Sequence, residues 1–113
     1  MSSMMIRLPR PFKRGNTFRI PFQIKDSAGL PVDITGWTIE SQLRDSGDTT
    51  IQNFTATITD AVNGWAEVTA TAVQTAGWVL GYHLMDIKTT DANGDVGSTI
   101  DIQVLVEEGP THG

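Results

Sequence analysis

The chain has 113 residues, enough for one modest domain, and 33 of them are Val, Ile or Thr against only 13 Leu, Glu and Lys. β-Branched side chains lose χ1 freedom in helices but pack well on pleated sheets, so this ratio predicts an all-β fold. The absence of cysteine excludes disulfides, thiolate metal sites and a Cys nucleophile, and no apolar run approaches the ~18 residues of a membrane span or the core of a signal peptide.

In chain order, residues 1–16 read as an extended arm rather than a strand, because Pro9 and Pro11 remove ladder donors and Gly15-Asn16 is turn chemistry. From Thr17 the pattern alternates: Phe18, Ile20, Phe22 and Ile24 form one face of a strand. Pro21 falls on the other face, which predicts a sheet edge or a bulge. A turn at residues 26–29 and a short extended piece over 30–34 lead to a strand over 37–44. In that strand Trp37, Ile39, Ser41 and Leu43 share a face, so Trp37 is expected in the core. Residues 45–48 turn, 49–53 form a short strand of poor phase, and 54–60 pair with 65–70 through an Asn63-Gly64 hairpin. Thr71 followed by Gln74 predicts a capping box and about one helical turn before Gly77. Strands over 82–89 and 100–106 close the pattern, separated by an Asp91–Asp95 turn. Roughly seven strands with turns every 8–12 residues predict an antiparallel β-sandwich over residues 17–108, with a C-terminal tail at 109–113.

Charge is distributed more unevenly than its total of −5 suggests. Residues 1–25 hold six bases and no acid, whereas residues 26–113 hold two bases and all thirteen acids, a net of −11. Catalysis needs no such split, but docking a basic segment on an acidic neighbour does.

The strings FQIKDSAG (residues 22–29), PVDITGW (31–37), LRD (43–45) and ATITD (56–60) resemble the small immunoglobulin-like domains of tailed-phage virions. So do Asn63-Gly64, Gly81-Tyr82, Asp86-Ile87 and the closing 102–106 strand. They are similar to the N-terminal module of baseplate upper proteins and of some tail-fibre proteins. The resemblance covers about residues 18–106 and rests on turn and core positions. It implies an immunoglobulin-like sandwich and a role in holding a particle together, in a protein made in the host cytoplasm and carried in the virion. Fibre proteins continue from this module into a stalk or binding head, whereas this chain ends seven residues past Val106. The expectation is therefore a tail, baseplate or fibre-attachment subunit, or else a capsid decoration protein, partnered by other virion proteins and by copies of itself.

Arg7, Arg10, Phe12, Lys13 and Arg14 are the candidate partner-binding residues, interleaving base and apolar side chain as a latch requires. Removing residues 1–16 is expected to leave the sandwich folded. Nucleic acid is not expected as a partner, since an acidic body repels phosphates and four charges release few counterions. Trp65 and Trp78 are candidate glycan-stacking residues, the basis of an alternative reading as a carbohydrate-binding adhesion module, although packing is the commoner use of large aromatics. Asp91, Asn93 and Asp95 begin like a calcium loop, but Val96 and Ile102 stand where that loop needs Gly and Glu, so no metal is expected. Two scattered histidines, His83 and His112, and the absence of any nucleophile or phosphate-loop motif predict no catalytic residues, no cofactor and no enzyme.

Overall fold

The computed structural model describes residues 4–7 and 11–109. Among these are nine strands: β1 (Met4–Arg7), β2 (Phe12–Lys13), β3 (Phe18–Gln23), β4 (Thr38–Arg44), β5 (Thr50–Asn53), β6 (Thr55–Asp60), β7 (Trp65–Ala70), β8 (Gly81–Thr90) and β9 (Val96–Glu107). One helical turn, α1 (Ala72–Thr75), lies between β7 and β8. The larger sheet runs β1-β9-β8-β4-β5, with β2 also paired to β9, and the smaller sheet runs β3-β7-β6. The chain crosses between sheets at Phe54, whose N–H donates to the Ser41 carbonyl at 2.9 Å.

Alternation places the core as the sequence predicts. Phe18 on β3, Ser41 and Leu43 on β4, and Ala66, Val68 and Ala70 on β7 are buried between the sheets. Met85 and Ile87 on β8, and Ile102, Val104 and Val106 on β9, meet them there. Burying each large apolar side chain contributes about 1.5–3 kcal/mol. Pro21 lies on β3, an edge strand paired only with β7 among the described residues, where a missing N–H breaks no ladder. The Thr71 hydroxyl accepts from the Gln74 amide and the Gln74 side chain accepts from the Thr71 amide, completing the expected capping box.

Three turns repeat one device. Asp26, Asp45 and Asp91 each accept, through one carboxylate oxygen, the amides two and four residues on. Each also receives at its own carbonyl the amide three residues on. The fourth position is left-handed in all three, with Gly29 at φ 83°, Asp48 at φ 66° and Gly94 at φ 88°. Asp48 is the non-glycine among them, and a left-handed L-residue costs roughly 1–2 kcal/mol. Its ion pair with Arg44, at 3.6 Å and with the Asp48 side chain 85% exposed, offsets little of that. Asp48→Gly is expected to stabilise the fold by about 0.5 kcal/mol after the added entropy of glycine, read as a rise in the urea midpoint.

A fourth aspartate, Asp33, accepts from the Thr35 hydroxyl at 2.6 Å and the Thr35 amide at 3.0 Å. These bonds, the hydroxyl's first, hold its carboxyl below the ordinary value despite a small opposing effect of burial. The folded pKa therefore lies below the unfolded one, and the stabilisation is present above the unfolded value and lost as pH falls through the folded one. Titration by NMR is expected to show a depressed Asp33 pKa that rises towards the ordinary value in Thr35→Val.

The structure corrects three expectations. Trp37 precedes β4 and is only half-buried, and the fully buried side chain there is Ile34, whose amide donates to Ala61 O at 2.9 Å. The strand count exceeds seven. The two extra strands come from the segment expected to be an arm, and they pair parallel, not antiparallel, with the chain's own β9. Met4–Arg7 aligns with residues 100–103 and Phe12–Lys13 with Val106 and Glu107. Four residues separate Arg7 from Phe12 but only two separate Gln103 from Val106, and the surplus falls in a stretch whose Pro9 and Pro11 supply no ladder donor.

Candidate assembly surfaces

Phe12 and Arg14 are engaged within the chain. The Phe12 ring meets Phe18 edge-on at 5.0 Å and Trp78 at 5.4 Å, and Phe54 stacks on Phe18 from the far side at 5.0 Å. This aromatic group closes one end of the sandwich beneath α1. Arg14 donates to the Trp78 carbonyl at 2.9 Å and pairs with Glu108 at 3.1 Å, while its amide donates to Glu107 O. The Thr75 hydroxyl accepts from the Gly15 amide at 2.9 Å and donates to Asn16 O at 2.8 Å, fixing the turn that leads into β3. Both side chains therefore take part in the domain's own packing. Lys13 is exposed, the backbone of Arg7 is in register with Gln103, and Arg10 lies outside the described residues, as does His112.

Deleting residues 1–16 is accordingly expected to destabilise the sandwich, contrary to the expectation from sequence. Loss of the Phe12 ring alone costs about 2–4 kcal/mol, with the uncovered β9 edge adding to it. A lower thermal midpoint of the truncated protein would show this, and an unchanged midpoint would contradict it.

The uneven charge of the sequence becomes an uneven charge in space. Phe54 alone joins β5 to β6, so those edge strands share one lateral side, and β1, β2 and β3 share the other. Lys13, Arg19 and Lys25 are exposed on that second side, with Arg19 reaching Glu67 only at 3.9 Å. Acids dominate the opposite side and the turns: Asp45, Asp48, Asp60, Asp91 and Asp95. Acids also stand beside the three bases, with Glu107 in register with Lys13, Glu67 at 3.9 Å from Arg19 and Asp26 next to Lys25, so charge is mixed on that side while acids prevail on the opposite one.

Trp65 stands on the outer face of the small sheet, 38% exposed, next to Gln23. Trp78 is 2% exposed, with its Nε1–H donating to Gln52 Oε1 at 3.0 Å, so no ring face is available to a sugar and its candidate role in stacking is corrected to packing. The Asp91 carboxylate is occupied by its own turn amides, and no group of three or more potential metal ligands occurs among the described residues. His83 is 4% exposed, and its Nε2–H donates to Val79 O at 2.6 Å, four residues upstream at the corner leading into β8. This bond does the work that a tyrosine hydroxyl does at the same corner of many two-sheet sandwiches. A strand histidine with a local partner is what the sequence leads one to expect of His83, and the corner it ties is the added finding. A shallow hollow of about 330 Å³ lies beside it, lined by Ser46, Tyr82, His83, Leu84 and Gln103.

No known sequence family matches the chain, and no curated protein does. Solved structures do, and 23 chains resemble it. The filamin domain of Lin-41 aligns at TM-score 0.52 and 15% identity, over 88% of this chain and 84% of that one. CopC from Methylosinus trichosporium OB3b aligns at TM-score 0.53 and 11% identity, over 96% and 91%. Fibronectin(III)-like modules of Clostridium thermocellum CbhA align more loosely, at TM-score 0.44 and 18% identity over 93% and 88%. The fold is an immunoglobulin-like β-sandwich. At these identities the likeness is one of fold alone, and the topology described above agrees with it: a four-stranded face of β9, β8, β4 and β5 packed on a three-stranded one.

Proposed function

We propose that the chain is a non-enzymatic structural or adaptor subunit of a tailed-phage virion, acting in the tail, baseplate or fibre attachment, with capsid decoration as the same role at another address. The observation that carries this reading is the charge geometry. Lys13, Arg19 and Lys25 are exposed on the side of β2 and β3, whereas the opposite side and its turns carry Asp45, Asp48 and Asp60, so the bases of one subunit can meet the acids of a neighbour. The resemblance of the turn strings to virion domains supplies the kind of neighbour. Individually such exposed pairs contribute under ~1 kcal/mol, so assembly draws on several at once and weakens with salt.

Because residues 12–16 help build the fold, the test reverses charge and leaves the backbone intact. Lys13→Glu, Arg19→Glu and Lys25→Glu together are expected to keep the sheet signal in circular dichroism while sharply lowering incorporation into particles in competition with the wild-type chain. Undiminished incorporation would overturn the charge-docking reading. The exposure of Trp65 favours one second reading, a weak glycan contact on the outer face of the small sheet. Quenching of fluorescence by a polysaccharide, lost in Trp65→Phe, would support it, and a silent glycan panel would sink it.

A further inference from the structure

Exposed strand edges invite pairing with other chains, and proteins normally guard them with lysine, proline, short length or a covering segment. Each of the other edges here carries such a guard. The free side of β3 has Pro21, Arg19 and the adjacent Lys25, β5 is four residues long with a bulge against β4, and β9 is covered by β1 and β2, which form that edge with only four and two residues. The β6 edge differs. Residues 51–59 carry no charge at all in a body that is otherwise strongly acidic, and the Thr55–Ile58 ladder to β7 is regular until a bulge between Ile58 and Asp60.

We propose that β6 is a homotypic pairing edge, at which two copies of this chain join antiparallel about a two-fold axis at Thr57 and merge their small sheets into one six-stranded sheet. The sequence Thr55-Ala56-Thr57-Ile58-Thr59 complements itself in that register. Thr57 faces its own copy, Ala56 faces Ile58 of the second copy, and Thr55 faces Thr59 at the limit set by the bulge. Thr57 is exposed and Ala56 and Ile58 half-buried, so the outer face gains threonine pairs while the inner face extends the apolar layer. No like charges oppose each other, and Asp60 lies past the end of the pairing. This inference deepens the assembly reading above and rests on it for its purpose. Its test reads the purified protein and not a particle, so either can fail alone.

The chain contains no cysteine, so Thr57→Cys places a single thiol per copy at the axis. Cα atoms across an antiparallel pair are about 4.5–5.5 Å apart, within reach of a disulfide. A thiol held opposite its copy has an effective concentration of order millimolar, so at roughly tens of micromolar protein Thr57→Cys is expected to form disulfide dimers about a hundredfold faster than Asn93→Cys, an exposed turn thiol that meets its copy only by collision. The excess is expected to hold or grow with salt, since copies of charge −5 repel each other, whereas docking through the exposed bases weakens with salt. Adding Thr55→Lys and Thr59→Lys, which sets like charges opposite each other, is expected to remove the excess while circular dichroism remains that of the folded sheet. Equal rates for the Thr57→Cys and Asn93→Cys proteins, or an excess untouched by the lysines, would overturn the pairing.

Discussion

Replacing Trp78 with alanine is expected to remove about 3–5 kcal/mol of stability, a large part of what a domain of this size possesses. Trp78 contacts Phe12, Phe18 and Phe54 at centroid distances of 5.4, 5.3 and 5.9 Å, so its loss opens the end of the sandwich on three sides. It also strands Gln52, which accepts the indole N–H, and loosens the loop whose carbonyl holds Arg14. Trp78→Phe is expected to cost less, mainly the hydrogen bond and part of the ring volume. Urea unfolding of the two variants checks this, and a cost below about 1 kcal/mol for alanine would contradict the placement of Trp78 as the hub of this cluster.

Gly64→Ala is expected to be nearly as damaging although it adds only a methyl group. Gly64 has φ 76°, and a Cβ there would lie 2.6 Å from the Ile24 carbonyl oxygen and 2.8 Å from that of Val32. Both obstacles are backbone and have no rotamer through which to yield. Ile24 N–H donates to Gly64 O at 2.9 Å and Val32 N–H to Ile24 O at 3.0 Å, so moving the hairpin away breaks the bonds that dock it. Left-handed strain and displaced hydrogen bonds together cost about 3 kcal/mol, a fall in thermal midpoint of roughly 10–15 °C. Gly29→Ala is the control, with similar φ but nothing within 4 Å of the added carbon, and it is expected to show the smaller strain cost alone.

These sites differ in how far the sequence revealed them. Asn63-Gly64 is recognisable as a hairpin from its residues, but the two carbonyls pressed against Gly64 come from residues 24 and 32, and no local pattern announces them. Alternation and Asp-led turns made β3, β4, β7, β8 and β9 legible because those strands bury one face each and end in chemistry that the side chains dictate. β1 and β2 were not legible. Four- and two-residue strands flanked by prolines carry no period of their own, and their pairing with β9 spans more than ninety residues. Those prolines make the segment read as an arm, and nothing local in it points to the contacts of Phe12 with Trp78 or of Arg14 with Glu108. Trp37 was placed in the core by extending the β4 alternation one residue before the strand begins. The charge split was visible from the start, but the acids that stand beside the bases, Glu107 by Lys13 and Glu67 by Arg19, came into view only with the strand register.

Membership of a virion is tested most directly by banding particles on a density gradient from the lysate in which this chain is made and quantifying the chain by mass spectrometry. Co-migration with the particle band, at a fixed ratio to the major shell protein, is the expected result. Recovery only at the top of the gradient, in fractions free of particles, would contradict the proposed role.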